Sequence, residues 1–587
     1  MDFKPLSINI EFENKLIMKS ISKYLLTALI TVVALTGMNS CKKDFLDPKP
    51  FGRYLTEQLQ SKKGLEGLLV ASYGFMDGAG TPGASGWMVG ATNWVYGDVG
   101  SDDAYKGTDA GDQPQMTEIE LYASQAANTY FYYKWVSLYE GVSRANDVIK
   151  FAATIEELTE EEKKDYIAQA RFLRAHFHFE AKRMFNKVPY ITETTTNYDN
   201  KADIWPMIEE DFKFAYDNLA ETQPLVGKAN KWAAGSYLAK AYMYDKKFAE
   251  AKALYDVIIP LGKTSNGKTY NLQPEYWKNF DIAWENTEEA VFSMQAAATG
   301  VVTASAETSY ELAYPYGGVW GCCGFYQPSQ NLINAYKTDA NGLPFLDESY
   351  NNSNLANDEG INASDPFTND IITPLDPRLD WSVGRRGIPY WDFGPHPGRS
   401  WIRDQAYAGP FSPKKHVTKN SDLGTFTNIN NFRQTAKNYN IIRFADVLLM
   451  AAEAEIEVGS LAKAQEYINR VRARAANPGS AVAGAPANYQ IKQYLLPFTD
   501  QATARKAVWF ERRLELAMEG HRFFDLVRWG IADQVLNAYV AKEKDKRSYL
   551  KSSGGFIKGK NEYYPIPNRI IQVAQVAGNT LDQNPGY

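Results

Sequence analysis

The sequence predicts a mainly α-helical protein, built from tetratricopeptide-like helical pairs and interrupted by a large, irregular insertion rich in loops and aromatic residues. Apolar residues recur at three- and four-residue spacing from Thr129 onward, which is the period of an amphipathic helix. Two segments carry the small and large residues that pack antiparallel helices together. Between them, residues 264–437 are rich in Gly, Pro, Asn and aromatic residues and show few helical periods.

The first helices follow from periodicity and from their start and stop signals. Thr159 followed by the acidic residues 160–162 is typical of a helix start, because acidic side chains in the first turn oppose the helix dipole. The helix that begins there should end before Pro189. Further helices are expected at 203–219 and 231–244. The helix before Thr159 presents one apolar face, formed by Trp135, Leu138, Tyr139 and Val142.

Each helical pair has a small residue where its helices cross. In the first pair this residue is Ala251, which lies opposite a helix with Leu238, Ala239 and Tyr242 on its packing face. In the second pair, a helix over 440–457 precedes a Gly-Ser turn and a helix over 461–474. Ala464 occupies the equivalent small position there. The two pairs are too distant in sequence to form a tandem array.

Composition and length indicate one globular body. The 587 residues include 44% apolar and 22% charged residues, which excludes a disordered, collagen-like or coiled-coil chain. A net charge of −6 leaves no basic excess for binding nucleic acid. We therefore predict a single body over 63–587, with helical pairs mainly at 129–262 and 438–530 on either side of the insertion.

The N-terminus has the features of an export signal. An uncharged apolar run over 25–37 follows two lysines and is shorter than the roughly 20 residues that a membrane-spanning helix needs. Ser and Cys41 follow in a segment that resembles a bacterial lipobox. We predict a signal peptide over 1–40, with Met18 as an alternative start, and a lipidated stalk over 41–62. The alternative is an ordinary signal peptide that leaves the Cys41 thiol free.

The charged side chains give little sign of catalysis. No nucleotide loop, zinc-ligand spacing or nucleophile elbow is present in the sequence. Glu511, Glu515 and Glu519 share one helical face with neighbouring arginines, which favours i,i+4 ion pairs over acid–base roles. An acidic loop offers the oxygen ligands that Ca²⁺ takes, but its spacing matches no EF-hand. The favoured interpretation is a solvated loop without a metal or cofactor, formed by Asp98, Asp102, Asp103, Asp109 and Asp112.

Cys322 and Cys323 are adjacent in sequence, with a glycine on either side. An oxidising compartment would allow a vicinal disulfide between them. Two buried thiols are the alternative, and the sequence does not decide between the two states.

Aromatic residues are the strongest indication of a binding surface, since they make up 13% of the chain. Rings cluster among glycines in one segment of the insertion, at Tyr314, Tyr316, Trp320, Phe325 and Tyr326. Sugar rings have apolar C–H faces that stack on exposed aromatic rings, while nearby polar side chains bind the hydroxyls. A shallow aromatic platform therefore suits a glycan. The alternative for any single ring is that it packs beneath the loops as part of a satellite core.

Several stretches together resemble the SusD/RagB family of outer-membrane nutrient-binding lipoproteins of Bacteroidetes. They cover nearly the whole mature chain, and they are Cys41-Lys-Lys-Asp-Phe-Leu-Asp47, Ala168-Gln-Ala-Arg-Phe-Leu-Arg-Ala175, Glu511-Arg-Arg-Leu-Glu-Leu-Ala-Met-Glu-Gly520 and the tail from Tyr564 to Tyr587. The resemblance implies a fold with four tetratricopeptide-like units. It also implies a partner, a SusC-like TonB-dependent barrel in the outer membrane, and glycan contacts in variable loops. The ligand-binding candidates are Trp87, Trp94, Tyr316, Trp320 and Trp391.

The predicted function is binding without catalysis. A lipid-anchored protein exposed on the cell surface would capture oligosaccharides and deliver them to the barrel. The alternatives are a peptide or glycopeptide ligand, a surface glycoside hydrolase, and a structural adaptor that contacts only the barrel.

Overall fold

The computed structural model describes residues 59–587, apart from the side chains of 302–304. The predicted signal peptide over 1–40, Cys41 and most of the stalk over 41–62 lie outside the described residues. Gln60–Tyr587 forms one compact unit. In the described part of the chain, no helix is both long and apolar enough to cross a bilayer.

The helices and strands are few in the insertion and dense on either side of it. The α-helices are α1 (Lys62–Gly74), α2 (Gly86–Val89), α3 (Pro114–Glu120), α4 (Thr129–Ala152), α5 (Glu160–Phe185), α6 (Trp205–Asn218), α7 (Lys231–Tyr244), α8 (Phe248–Leu261), α9 (Gln330–Ala335), α10 (Leu379–Ser382), α11 (Gln405–Ala408), α12 (Phe444–Val458), α13 (Leu461–Ala475), α14 (Gln501–Leu516), α15 (Arg522–Trp529), α16 (Ala532–Glu543) and α17 (Asn568–Val576). The strands are β1 (Ala104–Gly107), β2 (Ala290–Met294), β3 (Ala297–Thr299), β4 (Val302–Ser305), β5 (Phe325–Pro328), β6 (Pro374–Leu375), β7 (Val383–Gly384), β8 (Ser412–Pro413), β9 (Thr427–Asn428), β10 (Asn431–Thr435), β11 (Tyr439–Arg443) and β12 (Asn488–Tyr489).

The long helices pack side by side in a continuous layer. Each helix from α4 to α7 packs on the next one along the chain, ending with α8. The last helix before the insertion, α8, packs directly on α12, the first long helix after it, and α12 also packs on α13 and α14. The two predicted helical pairs are therefore neighbours in space. The chain leaves the helical layer after α8, forms the insertion, and returns to the layer at α12.

Local sequence signals account for the helix ends and crossings. Thr159 and Glu162 form a capping box at the start of α5, in which each side chain bonds the backbone N–H of the other residue. Ala251 and Ala464 are fully buried at the predicted crossings. The predicted helix over 440–457 begins only at Phe444, because the residues before it form β11.

Strand pairs close the insertion at its base. β2, near its start, pairs antiparallel with β11 at its end. β5 pairs antiparallel with β1 and so joins the aromatic glycine-rich segment to the loop that precedes α3. The insertion is thus a loop-rich region held at both ends by short strands, and the prediction of a mainly helical scaffold with an irregular insertion is confirmed.

A close approach of two backbones fixes the acidic loop to the C-terminal part of the chain. Gly97 lies in a π-helical turn over Val95–Val99, against the carbonyl group of Gly520. The backbone N–H of Gly520 donates to Oδ2 of Asp98 at 2.7 Å. A Cβ on Gly97 would overlap the Gly520 carbonyl oxygen.

We therefore expect Gly97→Ala to lower the free energy of unfolding by more than about 2 kcal/mol, because neither backbone can move without breaking buried hydrogen bonds. Urea denaturation followed by circular dichroism measures the effect. Gly554→Ala is the matched control, since its Cβ would meet open space. Equal stability of the two variants would contradict the prediction.

Candidate functional site

Four partly exposed tryptophans of the insertion form a contiguous group, which we call the tryptophan row: Trp277, Trp284, Trp381 and Trp391. Trp277 and Trp381 stack with their ring centroids 5.9 Å apart and their planes at 28°. The centroids of Trp381 and Trp391 are 5.2 Å apart. Nζ of Lys278 lies 3.7 Å from the centroid of Trp284 and 5.8 Å from that of Trp277. The row therefore continues across Lys278.

Hydrogen bonds to backbone carbonyls fix the indole rings in place. Nε1 of Trp381 donates to the carbonyl of Ser480 at 2.7 Å, and Nε1 of Trp277 donates to that of Gly479 at 3.1 Å. Nε1 of Trp391 donates to the carbonyl of Lys414 at 3.0 Å. Because the N–H edges point into the body, the rings are held rigidly while part of each remains in contact with solvent.

Lysine side chains pack against the rings of the row, and each ammonium group is already bonded to another group of the protein. Lys437 Nζ lies 5.3 Å from the Trp391 centroid and donates to a backbone carbonyl at 2.9 Å. Lys414 Nζ lies 4.8 Å from the Trp381 centroid and is bound in the same way. Burial lowers the pKa of Lys437 to about 8 and that of Lys414 to about 7. A third lysine, Lys419, forms an ion pair with Asp281. These cations therefore position rings and add little net positive potential.

A polar cleft borders the exposed end of the row. Trp284 is 38% exposed and lies on one wall of this cleft. The remaining wall is rich in side-chain amides and carboxylates, from Asn279, Asp281, Glu285, Asn286, Asn438 and Asn440. Side-chain amides provide both donors and acceptors. The cleft is narrow, with a volume of about 10 Å³. Most of its polar groups are already bonded within the protein, since Asn286 and Asn438 bond Gln295 and Asp281 pairs with Lys419. It therefore forms a polar edge beside an exposed indole ring.

Glu285 in this cleft gives a pH-dependent prediction. It accepts a hydrogen bond from the backbone N–H of Asn438 at 2.6 Å, and burial raises its pKa from 4.5 to about 7. The folded state then keeps a proton that the unfolded chain has lost, so this group's contribution to stability is complete below pH 4.5 and falls as the pH rises to about 7. Glutamine does not titrate.

We expect the free energy of unfolding of Glu285→Gln, relative to the wild type, to rise across that interval and to level off above it. Urea titrations at several pH values measure the difference. Glu160→Gln is the control, because the Glu160 side chain is 89% exposed. A difference that does not change with pH would contradict the prediction.

Trp320 does not belong to an open platform, which corrects its assignment as an exposed ring. It is 6% exposed and packs with its centroid 4.8 Å from that of Phe393 and 5.1 Å from that of Trp401. Gly317 and Gly321 on either side have φ of 81° and 69°, which glycine adopts without strain. These two residues flank a short 3-10 helix over Gly318–Trp320 and turn it inward. Trp320 therefore packs in a small aromatic core that is separate from the main one.

Trp94 and Trp87 are also placed away from the row. Trp94 is 1% exposed, and its Nε1 donates to the carbonyl of Ser309 at 2.7 Å. It packs on Tyr326 with centroids 5.0 Å apart, so its assignment as an exposed ligand ring is likewise corrected. Trp87 is partly buried against the main hydrophobic core. Trp94 and Trp320 are therefore core residues, and their loss would affect stability first.

Tyr316 is a predicted candidate that lies on the surface. It is 37% exposed, with the Arg403 guanidinium 5.6 Å from its ring centroid. Arg403 also forms ion pairs with Asp109 at 2.7 Å and Asp112 at 2.8 Å. Trp391 lies in the tryptophan row. Tyr316 and Trp391 thus both remain in contact with solvent, as part of Trp87 does.

The acidic loop is held by arginines. Arg513 bonds Asp103 at 2.8 Å and Asp102 at 3.0 Å, and Arg522 bonds Asp102 at 2.8 Å. In the described ranges, no three or more His, Cys, Asp or Glu side chains are arranged to hold a metal ion. The carboxylates are used instead to attach this loop to α14 and α15.

Cys322 and Cys323 are joined by a disulfide bond. Arg433 donates from Nη1 to Sγ of Cys323 at 3.0 Å. The pair therefore lies in the loop between Trp320 and β5, next to the small aromatic core.

Three members of the row were not among the predicted ligand residues. Trp381 lies far in sequence from Trp277 and Trp284, and only the fold brings it beside them. The available signal was the density of tryptophan in the insertion as a whole, which also includes Trp391.

Comparison with known proteins places this fold. The model of the SusD family matches residues 288–587. The chain belongs to the SusD family. A second family model, described as "Starch-binding associating with outer membrane", matches residues 53–243 of this SusD-family protein. The two matches include most of the first helical region, most of the insertion and the whole of the second helical region.

Curated relatives of this SusD-family chain come from Formosa agariphila. It is 25% identical to SusD-like protein P25 over 77% of this chain and 79% of the relative. It is 23% identical to SusD-like protein P2 over 96% of this chain and 100% of the relative. The alignment with P2 thus spans nearly the whole of both proteins.

Solved structures share the fold. A laminarin-binding SusD-like protein superposes with a TM-score of 0.63 and 22% identity, covering 90% of this chain and 100% of that protein. Surface glycan-binding protein A of Bacteroides thetaiotaomicron, in complex with laminarihexaose, superposes with a TM-score of 0.62 and 19% identity, covering 89% of this chain and 99% of that protein. At these identities the likeness concerns the fold.

Proposed function

We propose that this SusD-family protein binds an oligosaccharide on the tryptophan row. The observation that carries the proposal is the geometry of the row, in which rigid, partly exposed indole rings lie side by side. Indole faces stack on the apolar C–H faces of sugars, and polar side chains at the edge of the row are placed to contact the hydroxyl groups. The laminarin-binding and laminarihexaose-bound relatives support this ligand class.

The protein delivers its ligand to a SusC-like TonB-dependent barrel in the outer membrane. Lipid on Cys41 anchors it at the cell surface, and the family description that mentions association with the outer membrane supports this location. Anchoring beside the transporter raises the effective concentration of captured ligand. Weak binding on an open surface is therefore sufficient for uptake.

The protein releases its ligand chemically unchanged. The carboxylates that share a face of α14 are bound by arginines from other elements: Glu511 by Arg472 at 2.7 Å, and Glu515 by Arg378 at 2.8 Å. A glycosidase needs two carboxyl groups facing a shared cleft. These carboxylates are used in buried ion pairs, and of the two carboxylates in the cleft beside Trp284, Asp281 is paired with Lys419. Both observations support binding over hydrolysis.

Calorimetric titration of the full chain in detergent with laminarihexaose, maltohexaose, cellohexaose and xylohexaose tests the proposal. We expect saturable binding of at least one of these and no release of reducing ends on prolonged incubation. Release of reducing ends would make the protein a hydrolase. Binding of peptides or glycopeptides with no binding of any of these sugars would favour the alternative ligand class.

A further inference from the structure

A second cavity lies away from the tryptophan row, between α14, α15, the start of α16 and the turn of the insertion that includes Tyr350. Its volume is about 490 Å³, within the range of about 300–1,000 Å³ typical of ligand sites. We call it the C-terminal pocket. Its wall includes Glu348, Tyr350, Trp509, Arg522, Trp529 and Gln534. It shares no residue with the tryptophan row.

Two stacked indole rings form one side of this pocket. The centroids of Trp509 and Trp529 are 4.9 Å apart with their planes at 20°. Trp529 is fixed by Nε1 donating to Glu453 at 3.1 Å and by the Arg528 guanidinium 5.1 Å from its ring centroid. One face of Trp509 stacks on Trp529, while the rest of the ring packs in part against the main core and in part lines the cavity. Partly buried indoles lining an open cavity are typical of ligand sites.

Polar groups of both kinds complete the wall. Arg522 holds the Asp102 carboxylate through Nε at 2.8 Å and Nη2 at 3.1 Å, and its Nη1 has no partner among the described residues. Tyr350 is 6% exposed and accepts a hydrogen bond from Arg513 at 3.1 Å, which fixes the floor. The side chains of Glu348 and Gln534 likewise have no partner within residues 59–587.

The pocket is lined by charges of both signs, from Asp347, Glu348, Lys506, Arg513 and Arg522. The two arginines are already paired with Asp102 and Asp103 behind the wall. A strongly charged ligand would meet groups of its own sign, whereas a neutral ligand with many hydroxyls could use both the donors and the acceptors. A ring face, free donors and free acceptors in one cavity are the features that bind a neutral sugar unit.

We infer that the C-terminal pocket is a second saccharide site. It binds a neutral sugar unit against the part of Trp509 that lines the cavity, independently of the tryptophan row. The class of ligand rests on the proposed function. The existence of the pocket, which is argued from the cavity, the stacked indoles and the unpartnered polar groups, does not depend on the proposed function.

Fluorine NMR of the full chain labelled with fluorotryptophan tests this inference. Trp509→Phe and Trp529→Phe assign the two pocket resonances, and Trp277→Phe and Trp381→Phe assign two from the row. The probes are laminarihexaose, maltohexaose, cellohexaose and xylohexaose. We expect at least one to shift the Trp509 and Trp529 resonances saturably, also when Trp284 is replaced by alanine. Trp509→Ala should weaken binding at this site at least about tenfold, whereas Trp509→Phe, which keeps a ring face, should retain most of it.

The outcomes separate the two sites. Shifts at Trp277 and Trp381 without shifts at Trp509 and Trp529 would overturn the pocket and leave the proposed function intact. Shifts confined to Trp509 and Trp529 would support the pocket and overturn the assignment of the row. No shift at Trp509 or Trp529 with any of the four sugars would overturn the inference.

Discussion

Replacing Glu515 by alanine is expected to lower the free energy of unfolding by about 3–5 kcal/mol, the usual cost of removing one partner from a buried ion-pair network. Glu515 is fully buried and accepts hydrogen bonds from Arg378, at 2.8 Å, and from Arg443 and Arg474. These arginines come from three different elements, and each side chain is at most 3% exposed. Without Glu515, their charges would stay buried with too few acceptors.

Chemical denaturation at neutral pH measures this loss. Glu466→Ala is the matched control, because the Glu466 side chain is 53% exposed and pairs with Lys463 at the surface, where an ion pair is worth about 0–1 kcal/mol. A loss below about 1 kcal/mol for Glu515→Ala would show that the network adds little to stability.

The pH dependence of the same network has a defined sign. The surrounding arginines hold the pKa of Glu515 well below its usual range and lower the pKa of Glu519 to about 2. A lowered carboxyl pKa gives stability that is present above the ordinary pKa and lost as the pH falls toward the folded value. The difference in stability between the wild type and Glu515→Ala should therefore be constant above the ordinary pKa of 4.5 and shrink progressively as the pH falls below that value.

Replacing Trp381 by alanine is expected to weaken oligosaccharide binding by about 30-fold or more, the effect typical of a central aromatic contact residue. Trp381 lies between Trp277 and Trp391, with ring centroids 5.9 Å and 5.2 Å away. Its loss removes one ring face and also the support of both neighbours. Titration with the best-bound of the four hexaoses measures the change.

Two controls separate loss of the surface from loss of folding. Trp381→Phe keeps a ring and should recover much of the affinity. Trp87→Ala removes a tryptophan of similar partial burial that packs on the main core, and it should bind as tightly as the wild type as long as it remains folded. Unchanged affinity of a folded Trp381→Ala would exclude the row as the ligand surface.

The helices could be predicted because their signals are local. The capping box at Thr159 and the small residues Ala251 and Ala464 act within one or two helical turns of their own positions. The start of α12 was predicted too early, since pairing of β11 with β2 depends on residues far away in the chain. The carboxylate stripe was also misjudged, because its partners Arg378, Arg443 and Arg472 come from other elements and not from positions i+4.

The site could be predicted only in part. The aromatic density of the insertion indicated a ring-rich surface, and Tyr316 and Trp391 are indeed accessible. Trp94 and Trp320 have the same local composition but are buried. No local pattern separates a ring that faces solvent from one beneath a loop, because the elements that cover it come from elsewhere in the chain.

The sequence by itself determined the helical scaffold, the presence of an irregular insertion and the family, since periodicity, caps and motif residues act locally or recur in order along the chain. Tertiary structure alone decided that α8 meets α12 across the insertion, that Trp277, Trp284, Trp381 and Trp391 lie side by side, and that a second cavity opens beside Trp509. The physical reason is that burial and ring contact depend on which distant segments cover a residue, and that is settled only when the whole chain packs.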